Sequence, residues 1–233
     1  MKEDDMDLHE VKVESAQAHG EGLTLLTLAT GEWSQSHERP GQYLMFQAPS
    51  DDKARPMAIA SAPGVSPLVL LFKAEGEREA ALRALGPGDT VSCTAPAGPG
   101  YPVDKLGGEL PGGALLLVAT GTALAPIKAC LDVLLDKGAL PAATTLCVGA
   151  RRKRELAFQS DLDRYREAGV DVNVIYSQPE SGEGGHVQAL LQDAPASPAD
   201  TVVFSCGQPA MMDEVEAACE GHGVPRAQMF RNF

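Results

Sequence analysis

Leu115-Leu116-Leu117-Val118-Ala119-Thr120-Gly121-Thr122-Ala123-Leu124-Ala125-Pro126 reads as a buried strand, a tight glycine turn and the start of a helix. A helix N-terminus behind a glycine turn offers free backbone N–H groups and the positive end of a dipole, a combination that binds phosphate. Thr122 adds a hydroxyl, Ala123 keeps the backbone accessible, and Lys128 follows in the first turns. A strand–turn–helix without any ligand shows the same pattern. A second segment, Val202-Val203-Phe204-Ser205-Cys206-Gly207-Gln208-Pro209-Ala210-Met211-Met212, repeats it and sets a cysteine at the carboxyl end of a strand. Two strands ending at one edge make the crevice in which open α/β sheets bind nucleotides.

The surrounding half of the chain alternates in the same way. Strands are expected at 114–119, 143–149, 171–177 and 201–206, and helices at 125–137, 153–168, 187–192 and 209–222. That order implies a parallel sheet with helices on both faces. The first half reads as short strands: Val11–Glu14, Leu23–Leu28, Tyr43–Phe46, Val69–Phe72 and Thr90–Cys93. Pro40-Gly41, Ala62-Pro63-Gly64 and Gly86-Pro87-Gly88-Asp89 punctuate them, which suggests a small antiparallel barrel. One helix, Glu77–Leu85, interrupts the strands. The glycine-rich stretch at 107–113 is the natural boundary, giving a barrel over 1–110 and an α/β unit over 111–233.

Composition limits the partners. The 233 residues carry a formal charge of −13, which argues against nucleic acid and anionic membrane but leaves a protein partner open. The five cysteines are scattered without a CxxC pair, so no zinc or iron–sulfur site is expected, and reduced thiols in a cytoplasmic protein are the simplest reading. No segment has the length of a membrane span, and the acidic start lacks the apolar core of a signal peptide.

Taken in order, the motifs resemble the ferredoxin–NADP reductase family of flavoenzymes. Gly121–Pro126 is similar to that family's GTG-x-AP turn and Cys206–Met211 to its CGP-x-x-M turn. Pro40-Gly41-Gln42-Tyr43 looks like the family's PGQY. Arg55-Pro56-Met57-Ala58-Ile59-Ala60-Ser61 stands where the flavin motif R-x-Y-S-x-x-S/T belongs. Gly149-Ala150-Arg151 with Glu155-Leu156 looks like G-A-R-x-x-x-D-L, and Gly185-His186-Val187-Gln188 like G-Y-V-Q. The resemblance spans almost the whole chain. It implies a flavin-type barrel followed by a nucleotide-binding domain, with FAD and NAD(P)H as cofactors.

By that resemblance Arg55 pairs with a flavin phosphate, which a guanidinium grips bidentately. Pro56, Met57, Ala58 and Ser61 line the flavin, and Gly76 opens the turn under its pyrophosphate. Gly121, Thr122, Ala123, Pro126 and Gly207 hold the dinucleotide, with Arg151, Ser177 and His186 at its far end. Cys206 borders the reacting carbon of the nicotinamide without acting as a nucleophile, and Phe233 covers the flavin face. The chain departs from the pattern where it has Met57 and Ala58 for tyrosine and serine. Methionine still packs against a flat ring, whereas losing the serine hydrogen bond costs about 0.5–1.5 kcal/mol. Glu79 replaces the hydroxyl of G-x-x-S/T. A carboxylate about 4 Å from a phosphate charge costs about 4 kcal/mol at a surface-like dielectric.

The function these features imply is a soluble NAD(P)H oxidoreductase. It passes electrons from a nicotinamide dinucleotide through FAD to a separate acceptor. No side chain stands out as a general acid or base, so catalysis would rest on orientation. Ser177-Gln178 stands where family members that prefer the phosphorylated dinucleotide carry Ser-Arg, which leans the expectation to NADH. The alternative is a nucleotide-binding or sensing protein of the same fold that has lost flavin.

Overall fold

The computed structural model describes residues 7–49, 51–73, 76–193 and 195–232. Its first half supplies β1 (His9–Ala18), β2 (Leu23–Ala29), β3 (Tyr43–Gln47), β4 (Arg55–Ala58), β5 (Leu68–Lys73), helix α1 (Gly76–Arg83) and β6 (Thr90–Cys93). The strands form one antiparallel sheet in the order β4-β3-β6-β1-β2-β5. Ile59, just past β4, bridges to Leu70 of β5, and the Ala60 N–H donates to the Val69 carbonyl at 2.8 Å. Those contacts bring the two edges together, as a barrel requires. Inward positions along the strands are apolar, and Phe46 and Phe72 meet inside at 4.8 Å between ring centroids.

β4 was not among the strands expected from sequence. Arg-Pro-Met-Ala carries no alternation, and Pro56 argues against a central strand. It is tolerated because β4 ends the ladder, pairing with β3 from Arg55↔Phe46 to Ala58↔Tyr43.

The second half supplies β7 (Ala114–Thr120), α2 (Leu124–Asp136), β8 (Ala143–Ala150), α3 (Gln159–Glu167), β9 (Asp171–Tyr176), β10 (Thr201–Cys206), α4 (Pro209–Gly221) and β11 (Met229–Arg231). The five strands are parallel in the order β11-β10-β7-β8-β9. Leu115, Leu117 and Ala119 face α2, α3 and the barrel, while Val118 and Cys147 face α4 and the turn at Val187–Leu191. Burial on both faces explains the near-continuous apolar runs of β7 and β10.

Two helices expected from sequence are shorter than their patterns. The 153–168 segment begins as a 3-10 turn, Lys153–Glu155, and α3 starts only at Gln159. Between them Phe158 takes a left-handed φ of 55°, and its N–H donates to His19 Nε2 at 2.8 Å. The Glu21 N–H donates to the Arg154 carbonyl at 2.8 Å. Docking on the β1–β2 hairpin therefore delays the helix. The delay also moves Arg151–Arg154 out of a helix N-terminus, where cations are unfavourable. The expected helix at 187–192 is a 3-10 turn, Val187–Leu191.

Asp132 joins α2 to α3. It accepts hydrogen bonds from Lys128 Nζ at 2.6 Å, Arg164 at 2.6 Å and the Tyr165 hydroxyl at 2.7 Å. Burial opposes its ionisation, but Lys128, then Tyr165 and Arg164, outweigh that and hold its carboxyl below the ordinary range. A depressed folded-state pKa contributes stability above the unfolded value of about 3.9, and that stability is lost as pH falls through the folded value. Asp132→Asn should cost about 2–3 kcal/mol at neutral pH, less than a fully buried pair because Arg164 is half-exposed. Urea midpoints compared at pH 7 and pH 3 check this. The penalty should shrink at pH 3, and a penalty equal at both values would contradict it.

Candidate functional site

β7, β8, β9 and β10 are parallel, so their carboxyl ends, Thr120, Ala150, Tyr176 and Cys206, lie along one edge of the sheet. The barrel faces that edge with Pro56, Met57, Ala58, Leu71 and Lys73. Between the two halves lies a cleft of about 1170 Å³. On the sheet side it is walled by turns that follow the strands: Thr120–Ala123 after β7, Gly149–Arg151 at the end of β8, Ser177 after β9, and Cys206–Met211 after β10. Gly185–Ala189 and Glu214 complete the wall.

The turn after β7 suits a phosphate. Gly121 has a φ of +57°, and a Cβ placed on it would meet no atom within 4 Å, so the backbone lies open to the cleft. The 3-10 turn Gly121–Ala123 runs straight into α2, whose thirteen residues give it a developed dipole. Pro126 is buried in the first turn of α2 and does not line the cleft. Gly207 has a different reason. A Cβ there would lie 2.1 Å from Met211 Cε and 2.5 Å from Thr120 Oγ1, so glycine lets the two turns pack together.

One residue of the cleft wall carries a buried, unpaired acceptor. Gln188 Nε2 donates to Glu214 at 2.6 Å, while Gln188 Oε1 is buried without a partner. A buried polar atom left unpaired is costly unless a ligand or water meets it. The open turn after β7 fits the phosphate part of a dinucleotide. At the far end Arg151 Nε donates to Gln178 Oε1 at 2.9 Å, and Ser177 and exposed His186 stand beside it.

Cys206 lines the cleft at the end of β10 and is 4% exposed. Burial pushes its thiol up to about 12, although the Asn232 and Tyr101 side chains work the other way. It is a neutral thiol at physiological pH and supplies shape, not a nucleophile. The Tyr101 hydroxyl donates to the Ser205 carbonyl at 2.7 Å and fixes the barrel to this strand end.

The barrel wall suits a flat ring. Met57 and Ala58 are partly exposed to the cleft above buried Leu71. Arg55 and Gly76 lie outside the lining; Arg55 Nη2 stands 3.5 Å from exposed Asp52. Ser61, expected with the flavin residues, is turned away. Its hydroxyl accepts the Val69 N–H at 3.2 Å and borders a second cavity of about 420 Å³ beside α2 and α3. The seam of the barrel needs that bond, which is why the residue points there. Phe233 and the Glu79 side chain lie outside the described residues.

Sequence motifs did not single out Lys73 or Glu214, which also line the cleft. Lys73 Nζ reaches buried Glu155 at 2.6 Å, a contact between the two halves at the cleft. Among the described residues no group of three His, Cys, Asp or Glu could hold a metal, and no helix is long and apolar enough to cross a membrane.

Residues 117–217 match the family of oxidoreductase NAD-binding domains. Ferredoxin–NADP reductase B of Sorangium cellulosum is 29% identical over 203 residues, covering 78% of this chain and 79% of that protein. Sulfhydrogenase 1 subunit gamma of Pyrococcus furiosus is 28% identical over 199 residues, covering 82% of this chain and 66% of that one. The chain thus spans about two thirds of the sulfhydrogenase subunit's length. Among solved structures, a cytochrome P450 reductase of Amycolatopsis shares the fold with a TM-score of 0.81 at 21% identity over 97% of this chain and 70% of that chain. A Neisseria gonorrhoeae ferredoxin NADP+ reductase with bound FAD and NADP gives 0.78 at 18% identity over 97% and 99%.

Proposed function

From a chain related to the ferredoxin–NADP reductase-like oxidoreductases, we propose a flavin-dependent NAD(P)H oxidoreductase that passes electrons through FAD to a separate acceptor protein. One observation carries this reading: the open turn at Gly121–Ala123 and the barrel residues Met57 and Ala58 line a single cleft. A bound flavin supplies the two-electron acceptor that the side chains lack. The protein's part is positional. Gly121, Thr122 and Ala123 seat the dinucleotide pyrophosphate, Cys206 and Gly207 shape the nicotinamide pocket, and Met57 and Leu71 keep water from the ring. The relatives include an electron transfer subunit of dihydroorotate dehydrogenase B from Listeria innocua, 26% identical over 182 residues, which supports a protein acceptor. The proposal takes the barrel as 1–110 and the nucleotide-binding unit as 111–233, in a cytoplasmic setting that suits five free, buried cysteines. An absorbance scan before and after addition of FAD tests it. Flavin bands should accompany the protein fraction, whereas protein that takes up no added flavin would favour the non-catalytic nucleotide binder.

The same reading favours NADH. A 2′-phosphate needs charge-assisted contacts, each contributing about 1.5–3 kcal/mol. Neutral Gln178 accepts from both Arg151 at 2.9 Å and Arg152 at 3.5 Å, and Glu180 and Glu183 follow it closely. We expect kcat/KM to favour NADH modestly, with NADPH accepted through Arg151. A preference for NADPH above about tenfold, or roughly 1.4 kcal/mol, would contradict that.

A further inference from the structure

The segment 149–158 forms one end of the cleft wall and is fastened to the barrel at three points. Gly149, Ala150 and Arg151 line the cleft. Farther along, Glu155 takes Lys73 Nζ at 2.6 Å. The turn between β1 and β2 supplies the other two points. Its Glu21 N–H donates to the Arg154 carbonyl at 2.8 Å, and the Glu21 carboxylate pairs with Arg154 Nε. Gly20 lets the turn come this close, since a Cβ there would lie 3.0 Å from the Arg154 carbonyl oxygen. His19 reaches Phe158: Nε2 accepts the Phe158 N–H at 2.8 Å, and the two rings lie 4.8 Å apart between centroids.

The third point holds the least relaxed backbone. Phe158 has a φ of 55°, a conformation that a bulky residue keeps only where its surroundings impose it. Its carbonyl accepts the Leu162 N–H at 2.9 Å, so the same residue ends the segment and begins α3. The imidazole accepts the Phe158 N–H only while neutral, with its proton on Nδ1. Imidazole is the side chain that changes charge between about pH 5 and pH 8. A protonated ring carries N–H groups at both nitrogens, so donor would face donor. The cavity beside the ring brings Lys128, Asp132 and Asp136 from α2 and Asp161 and Arg164 from α3. The ring's own turn brings Glu21, and the docked segment brings Arg154. Most of these charges answer one another: Asp132 takes Lys128 and Arg164, and Asp161 takes Arg164 at 3.1 Å. Burial dominates and holds the imidazole below its ordinary value of 6.5, with Asp161 opposing that and Lys128 reinforcing it. The contact is therefore at full strength above about pH 6.5 and weakens as pH falls from there towards the lowered value.

We propose that His19 is a positioning residue for the dinucleotide end of the cleft: as a neutral ring it locks the segment 149–158 against the barrel, and its protonation frees that segment and weakens dinucleotide binding. His19 touches neither dinucleotide nor flavin. It acts through Phe158, whose backbone sets where the chain leaving β8 meets the barrel. The inference rests on the cleft being a dinucleotide site, as proposed above.

Two readouts at about pH 5 and about pH 8 test it: NAD+ binding by calorimetry, with NAD+ chosen because it survives acid, and hydrogen exchange at the Phe158 amide, corrected for the intrinsic effect of pH. The unaltered protein should bind NAD+ about five- to tenfold more weakly at the lower pH, the size of one hydrogen bond, and Phe158 should lose protection in parallel. His19→Leu, which has no acceptor, should show the weakened state at both pH values. His19→Gln offers an acceptor oxygen that does not titrate. It should bind within about threefold of the unaltered protein at the higher pH and lose the pH difference. If His19→Leu does not fold, the His19→Gln comparison decides. NAD+ affinity that is the same in His19→Leu as in the unaltered protein at about pH 8, or a pH difference that survives in His19→Gln, would overturn the positioning role and leave the reading of the cleft intact. No NAD+ binding at either pH would overturn both.

Discussion

Gly121→Val is expected to weaken NADH binding by at least about a hundredfold, or roughly 2.8 kcal/mol. Two effects add. Gly121 holds a φ of +57°, a conformation that a β-branched residue adopts at a cost of about 1–3 kcal/mol, so the turn is driven from its shape. The added isopropyl group would also project into open space above the turn, since no atom lies within 4 Å of the Cβ position. A pyrophosphate bound at this turn, as proposed, would have to place an oxygen in that space to reach the backbone N–H groups, and each charge-assisted bond lost costs about 1.5–3 kcal/mol. The same openness means the variant has no packing clash to unfold it. Calorimetry should show the loss of NADH affinity with a largely preserved cooperative thermal transition. Unchanged affinity would remove this turn from the account.

Gly41→Val is expected to act on the fold instead, by about 3–5 kcal/mol. Gly41 has a φ of +91°, and a Cβ there would lie 2.6 Å from Tyr101 Cδ2 and 2.9 Å from Cε2. The Tyr101 ring cannot give way easily. It is 1% exposed, stacks on Phe204 at 4.9 Å between centroids, and is pinned by its N–H to the Pro40 carbonyl and its hydroxyl to the Ser205 carbonyl, both at 2.7 Å. The clash therefore passes from the barrel to β10, next to Cys206. Gly64→Val is the control. Gly64 has a φ of +75° with nothing within 4 Å of the Cβ position, so strain alone should cost about 1–3 kcal/mol. Urea midpoints of the two variants check the argument, and a Gly41 penalty no larger than that at Gly64 would contradict it.

Much of this architecture is legible in the sequence because the strongest patterns are local. Leu115–Ala119 and Val202–Cys206 read as strands since both faces are buried, and the glycine turns that end them mark one edge of the sheet. What escaped sequence reading depends on partners distant in the chain. β4 is a strand because β3 and the seam near Leu70 hold it there, not because Arg-Pro-Met-Ala alternates. The delayed start of α3 reflects an N–H bond from Phe158 to His19, 139 positions away in sequence. Ser61 carries the motif spacing of a flavin residue, yet its hydroxyl serves the Val69 N–H across the seam. Lys73 has no motif at all. Its place at the cleft follows from β5 ending opposite Glu155, a pairing 82 positions apart. The Arg78–Asp51 ion pair is likewise invisible until the loop between β3 and β4 meets α1.

The central claim is that one cleft holds a nicotinamide dinucleotide and a flavin together, close enough for hydride transfer. Anaerobic absorbance of the flavin's visible band, followed on mixing protein, flavin and NADH, tests it most directly. The account predicts that NADH bleaches the band rapidly in the presence of the protein, at one NADH per flavin, and that Gly121→Val slows the bleaching at limiting NADH. A band that stays oxidised while both ligands are shown to be bound would contradict the claim.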